Sequence, residues 1–253
     1  MDKKAVNLGL KEVRAEIIYH KYKKFDIKTL LISFEGEKRR VLSTWDGYRK
    51  VKFVANVSIP WTLAGYTMKN YEKFEREFPR YLGISLGEIS FLTTGADMDN
   101  LAVCKKSYQE FNVCCVATGG TGNALRSGVD KGNYVERNGK FHYAPGTINI
   151  IILFNVALTT GAMARAIITA TEAKTAALQD LDVRSAFSPE HKATGTGTDN
   201  IIIVSGKEYG MPLRWTGGHT RIGELIATST RFAVIEALEK QEGQSRIMQN
   251  SNT

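Results

Sequence analysis

Residues 193–206 read ATGTGTDNIIIVSG, a loop of small and hydroxyl side chains, closed by Asp199-Asn200, that runs straight into an all-apolar strand. Gly195 and Gly197 can take positive φ and admit a ligand close to the backbone. Thr194, Thr196 and Thr198 add hydroxyls, and Asp199 adds a carboxylate at the strand mouth. The order is reversed at 111–123, where the apolar run FNVCCV enters ATGGTGN, bringing Gly119, Gly120, Thr121, Gly122 and Asn123 to a strand end. Two such loops at strand ends predict one shared pocket. TINIIILFN (147–155) supplies a strand apolar on both faces, hence central and covered twice. Asn149 interrupts it, and a buried amide needs a partner.

LTTGAMARAIITATEAKTAALQDL (158–181) predicts a long alanine-rich helix with Thr159 or Thr160 as N-cap. Its small side chains imply close packing on a neighbour. A further amphipathic helix is predicted over 221–240, followed by a frayed tail. Upstream, 14–22, 27–35, 38–44 and 52–59 are short β-branched or aromatic runs separated by charged or Gly-containing turns. Tyr71, Phe74 and Phe78 recur at helical spacing in 67–82, with Pro79 disturbing the end. ISFLTTGADMDN (89–100) reads as a strand and loop, and LAVCKKSYQE (101–110) as a helix. Asn138-Gly139 predicts a hairpin turn within 133–143. From residue 88 onward the alternation argues for a layered α/β core, with mixed α+β as the variant, a sheet flanked by helices and a β-rich first third. Without a linker near 60–90, one domain over 1–253 is expected. Residues 1–60 form a β-rich edge or small subdomain, and 88–241 the core.

Composition is that of ordinary globular material, 43% hydrophobic and 24% charged. No run is long enough to cross a bilayer, and residues 1–20 lack a secretory apolar region, so a cytoplasmic protein with no membrane partner is expected. Cys104, Cys114 and Cys115 fit neither a disulfide framework nor a metal pattern. The adjacent pair, in a strand, should face opposite sides as small hydrophobes. The net charge of +8 is carried by residues 1–80, which hold 18 Lys/Arg against 10 Asp/Glu, while the remainder has 16 of each. Lysine on a strand edge explains this without a partner. No nucleic-acid motif accompanies the charge, so nucleic acid is not an expected partner.

Neither Gly/Thr loop fits the P-loop or the dinucleotide fingerprint. There is no G-x-S-x-G elbow and no H-E-x-x-H, and no metal is expected. What remains is polar groups at strand ends and helix starts. Gly195 to Thr198 and Gly119 to Gly122 could present N–H groups to an oxyanion or an amide oxygen. Arg165, Thr169 and Glu172 form a polar stripe on the long helix. His219, behind Gly217-Gly218 at a helix start, is a candidate general acid/base.

The blocks ATGGTGNA (117–124), GTINIIILFN (146–155), TEAKTAAL (171–178), ATGTGTD (193–199) and GGHTRIGELI (217–226) together resemble the adenosylcobinamide amidohydrolases of corrinoid salvage. They occur in that family's order. The resemblance implies hydrolysis of the amide joining aminopropanol to a corrin side chain, giving adenosylcobyric acid and 1-aminopropan-2-ol. It implies a corrinoid small-molecule substrate and no cofactor, the cobalt travelling in the substrate. A homo-oligomer is compatible with it. VLSTWDGYRKVKFVANVSIP (41–60) departs from the family, with Trp45-Asp46-Gly47-Tyr48 where a small, Gly-rich connection is expected. A large ring fringed with amides needs many neutral donors and acceptors. The expected binding set is accordingly Gly119, Gly120, Thr121, Gly122, Asn123, Asn149 and Thr194 to Thr198.

For catalysis the sequence suggests direct water attack. Glu172 or His219 acts as base, His219 protonates the leaving amine, Asp199 orients His219, and the 195–198 N–H groups hold the oxyanion. A Thr196 or Thr198 nucleophile is the alternative. The competing class is a non-catalytic corrinoid or nucleotide binder built on the same loops.

Overall fold

The computed structural model describes residues 1–132, 147–207 and 210–250. Two sheets lie face to face, each covered by helices on its outer side. In the first the strand order is β1 (Asp2–Val6), β2 (Val13–Tyr22), β3 (Phe25–Phe34), β6 (Phe53–Ser58) and β7 (Ile89–Thr94). In the second it is β5 (Gly47–Val51), β4 (Arg39–Ser43), β11 (Asn200–Val204), β10 (Ile148–Phe154), β9 (Phe111–Gly119) and β8 (Ala102–Tyr108). Among the described strands, only the β6–β7 and β10–β11 pairs run parallel.

Strand periodicity sorts the apolar side chains into three layers. Ile17, Leu30 and Ile32 of the first sheet meet Val116, Ile151 and Ile202 of the second between the sheets. The alternate residues Ile18 and Leu31 face outward onto Phe74 and Phe78. On the far side of the second sheet, Ile150, Ile152 and Ile203 pack on α3 (Thr160–Asp180) and α4 (Arg221–Asn250). The alanines of α3 explain its closeness: Ala162, Ala166, Ala170 and Ala177 recur on one face and are fully buried. Thr159 caps this helix, accepting from Ala162 N. β10 is buried along its whole length, as a central strand covered on both faces must be.

The structure differs from the sequence reading in several places. The β-rich first third is divided between both sheets, because β4 pairs with β11 while β2, β3 and β6 build the first sheet. Residues 102–108 are a strand, not a helix. Gln109 takes a left-handed φ of 50°, and the turn folds β8 back onto β9 from Tyr108↔Phe111 to Ala102↔Ala117. Ladder pairing at this edge overrides local preference. The helix expected over 67–82 is two, α1 (Trp61–Lys69) and α2 (Tyr71–Tyr81), broken where Asn70 leaves helical geometry. Pro79 is accommodated in the last turn of α2 rather than ending it. The final helix continues to Asn250, ten residues past the expected end. The Asn138-Gly139 turn and the last three residues lie outside the described residues. No described helix is long and apolar enough to cross a membrane.

Cys114 faces the layer between the sheets and Cys115 the helical side. Burial pushes the Cys114 thiol up to about 12 and raises that of Cys115 as well. Half-buried Cys104 is raised by the same cause. Since the thiolate is the nucleophile, iodoacetamide at pH 8 should alkylate Cys104 slowly and leave Cys114 and Cys115 untouched until the chain is unfolded. Fast native labelling of either buried cysteine, read by peptide mass spectrometry, would contradict this layering.

Candidate functional site

One end of the sandwich gathers polar groups from both sheets. The antiparallel register of β9 on β10 sets Thr118 opposite Asn149, and the parallel register of β11 sets Asn200 on its other side. Asn149 shares the face of Ile151, so it points between the sheets. Its Nδ2 donates to Asn56 Oδ1 at 2.9 Å and to the Thr93 carbonyl at 2.8 Å. Asn56 Nδ2 in turn donates to Thr118 Oγ1 at 2.9 Å. The amide that interrupts the central strand therefore ties the two sheets together, and its expected partner is a second buried amide.

Asp199, just before β11, is the other centre. Its Oδ1 accepts from Ile148 N at 3.0 Å and from Thr196 Oγ1 at 2.6 Å; its Oδ2 accepts from Thr196 N at 3.1 Å and from Lys174 Nζ. Lys174 comes from the alanine face of α3, and its side chain is only 7% exposed beside an Asp199 that is 12% exposed. These donors use the full acceptor capacity of a carboxylate, which fixes its orientation. Thr196 has one hydroxyl proton and gives it to Asp199. The 3.2 Å contact between Thr196 Oγ1 and Thr198 Oγ1 must then have Thr198 as donor. Thr147 Oγ1 donates to the Thr198 carbonyl at 2.6 Å and holds that residue from below.

The two Gly/Thr loops do meet. Leu125 and Gly195 form an antiparallel bridge, with Leu125 N donating to Gly195 O at 2.8 Å. Gly120 N reaches the Thr147 carbonyl at 3.1 Å, Thr194 Oγ1 accepts from Ser127 N at 2.9 Å, and Thr121 donates to Glu242 on α4. Gly122 stays at the surface. Asn123 stands apart: its side chain is buried, yet neither Oδ1 nor Nδ2 has a partner. A buried carboxamide with both ends unsatisfied is costly and suits a bound amide, which offers one donor and one acceptor.

Several expectations are corrected. Of the two loop glycines only Gly197 has a left-handed φ, 75°. At Gly195 a Cβ would lie 2.5 Å from Asp199 Oδ2 and 2.7 Å from Lys174 Nζ, so the ion pair, not a ligand, occupies the space that glycine leaves. The Gly195 and Thr196 N–H groups are bonded to Leu125 O and Asp199, which removes them from the expected oxyanion cradle. His219 does not meet Asp199. It is exposed beside Arg221, whose guanidinium lies 5.0 Å from the Tyr108 ring in the β8–β9 turn. That turn is at the Phe154 end of β10 and Asp199 is at the Ile148 end, roughly 20 Å away at the rise of a strand. Glu172 is exposed, and two residues along a helix turn about 200°, which points it away from Lys174. Within the expected polar stripe Arg165 is also exposed, whereas Thr169 is buried and donates to the Thr216 carbonyl at 3.0 Å.

Sequence reasoning missed Lys174, Thr147, Asn56 and Thr118. A signal existed for two of them: Lys174 is the charged member of a buried alanine stripe, and Asn56 interrupts an apolar strand just as Asn149 does. Removing one partner of a buried ion pair strands the other. Lys174→Met should therefore lower stability in urea unfolding by about 3–5 kcal/mol, with Asp199→Asn in the same chain recovering part of it. A Lys174→Met loss below about 1 kcal/mol would show a solvated pair.

Residues 12–246 match the sequence profile of the adenosylcobinamide amidohydrolases. An uncharacterised protein of Methanocaldococcus jannaschii is 46% identical over 231 residues, which cover 86% of this chain and 88% of the relative. The adenosylcobinamide amidohydrolase of Methanosarcina mazei is 26% identical over 224 residues, 85% of this chain and 97% of its own length. Among solved structures, an L-aminopeptidase D-Ala-esterase/amidase of Ochrobactrum anthropi aligns over 89% of this chain and 82% of its own, at 10% identity and a TM-score of 0.43. With nearly the whole length matched, the chain belongs to the adenosylcobinamide amidohydrolase family.

Proposed function

We propose that this protein hydrolyses the amide joining aminopropanol to the corrin side chain of adenosylcobinamide. The products are adenosylcobyric acid and 1-aminopropan-2-ol, which returns salvaged corrinoid to cobamide synthesis. Family membership supports the reaction class. The observation that carries the chemistry is the chain Lys174–Asp199–Thr196–Thr198, whose hydrogen-bond direction runs from the half-buried Thr198 hydroxyl to a fixed carboxylate.

In this reading Thr198 Oγ1 attacks the amide carbonyl carbon. Its proton moves to Thr196 Oγ1 as the Thr196 proton moves to Asp199. The C–N bond breaks, the amine leaves with that proton, and the ester on Thr198 is hydrolysed by water to the acid. Lys174 keeps the carboxylate in place, and Asn123 pairs with an amide of the substrate. The reaction needs no cofactor beyond the cobalt in the substrate. This reading assigns no step to His219 or Glu172, the acid/base pair suggested by the sequence, both of which are exposed.

Incubating the purified protein with adenosylcobinamide should yield adenosylcobyric acid and aminopropanol by mass spectrometry. Binding without cleavage of any cobinamide would leave the non-catalytic corrinoid binder as the better reading. Thr198→Ala should lower kcat at least about a hundredfold, with Thr198→Ser retaining activity. His219→Ala should change kcat less than about threefold, against about a hundredfold for a general acid/base. Acid-quenched turnover should leave a corrinoid acyl adduct on the peptide containing Thr198. An adduct on Thr147 instead, or full activity in Thr198→Ala, would remove Thr198 from its role.

A further inference from the structure

Among the described residues, the last that α4 contributes to the core on the helical side is Leu238. It packs so closely on the end of β9 that a Cβ at Gly119 would lie 2.8 Å from its Cδ2. The helix continues past it, and its next turn reaches over the Asp199 end of the sandwich. Lys240 Nζ donates to the Leu101 carbonyl at 3.2 Å. Gln241 Oε1 accepts from Asp97 N and from Asn100 Nδ2, both at 3.0 Å. Glu242 Oε1 accepts from the Thr121 hydroxyl. These three consecutive residues hold two loops. One, 95–101, joins β7 to β8 and is tied to the first sheet, with Ser58 Oγ donating to the Ala96 carbonyl at 2.8 Å and Lys28 Nζ to Asp97 Oδ1 at 2.7 Å. The other is the Gly/Thr loop that follows β9 in the second sheet.

We infer that Glu242 is a positioning residue for substrate binding, acting through Thr121 on Asn123, a role that rests on the proposed pairing of Asn123 with a substrate amide. Thr121 opens the turn that carries Asn123, since its carbonyl accepts from Ala124 N at 2.9 Å. Backbone bonds hold the segment on either side, from Gly120 N to the Thr147 carbonyl at 3.1 Å and from Leu125 N to Gly195 O at 2.8 Å. Between them lie Gly122, which has no side chain to anchor it, and Asn123, whose carboxamide has no partner. The Thr121 hydroxyl thus makes the one side-chain hydrogen bond that fixes this turn among the described residues. Its acceptor is a carboxylate, and such bonds are stronger than those between neutral groups. Gln241 locks the same turn of α4 to the loop of the first sheet, so Thr121 is placed relative to both sheets. Without that support Asn123 would spend part of its time turned away from the amide. Affinity falls with the fraction of binding-competent molecules, so the cost falls on binding rather than on the chemical step.

Steady-state kinetics of the full chain with adenosylcobinamide test the role. Glu242→Ala and Thr121→Val should each raise KM at least about tenfold, with kcat within about threefold of the unsubstituted protein. Glu242→Gln keeps an acceptor oxygen in place and should hold KM within about threefold. The sharpest comparison uses Asn123→Ala, where adding Glu242→Ala should cost less than about twofold more, because the group being positioned is already gone. A contact that only stabilises the fold would weaken binding by the same factor with or without Asn123. Thermal midpoints establish that each variant is folded, and Thr121→Val repeats the test from the other partner where Glu242→Ala is not. If the protein binds adenosylcobinamide without cleaving it, the proposed hydrolysis fails, and the Kd from calorimetry should still show the same pattern. An unmoved KM, a fall confined to kcat, equal losses with and without Asn123, or no binding of adenosylcobinamide would overturn the assignment.

Discussion

A single carboxylate organises the Ile148 end of the sandwich. Asp199 collects donors from the start of β10, from the 193–199 loop and from α3, three segments far apart in sequence. Burying a charge is tolerable only when its acceptor sites are filled and a counter-charge is near. Lys174 supplies the counter-charge, and Gly195 gives it room, since a Cβ there would collide with both partners. Because Thr196 must give its proton to Asp199, the direction of the next hydrogen bond is determined. The hydroxyl of Thr198 is thus aligned by the same interaction that fastens the helix to the sheet.

A second constraint works beside it. Two facing sheets need polar closure where their apolar layer ends, and Asn56, Thr118 and Asn149 provide it from opposite sheets. Paired in this way, the amides cost little and hold the β6, β9 and β10 ends in register. Asn123, a few residues beyond β9, is the amide that the fold does not pair. The contrast sets Asn123 apart from the amides that build the wall, and under the proposed function it is the one that meets a substrate amide.

Much of this was legible in the sequence where local pattern and tertiary role agree. β10 is apolar on both faces because it is covered on both, and α3 is alanine-rich because it lies flat on a sheet. The two Gly/Thr loops meet because one follows β9 and the other leads into β11 at the same end of one sheet. Long-range pairing was not legible. Residues 102–108 have no strong strand pattern and become a strand only because the Gln109 turn returns them to β9. Nothing in the first third announces that β4 and β5 cross to the second sheet while β1, β2, β3 and β6 build the first. His219 looked like a partner for Asp199, but α4 begins at the far end of β10, and linear sequence does not show that distance. Lys174 was not singled out among the alanines of α3, and only their burial gives its direction.

The most direct test is where the scissile amide rests. A crystal structure of the Thr198→Ala variant with adenosylcobinamide should place the amide carbonyl carbon about 3–3.5 Å from the position of the missing hydroxyl. A substrate amide should also be hydrogen-bonded to the Asn123 side chain. An amide lodged instead at the His219 end of the sheet, or beyond reach of residue 198, would contradict the account.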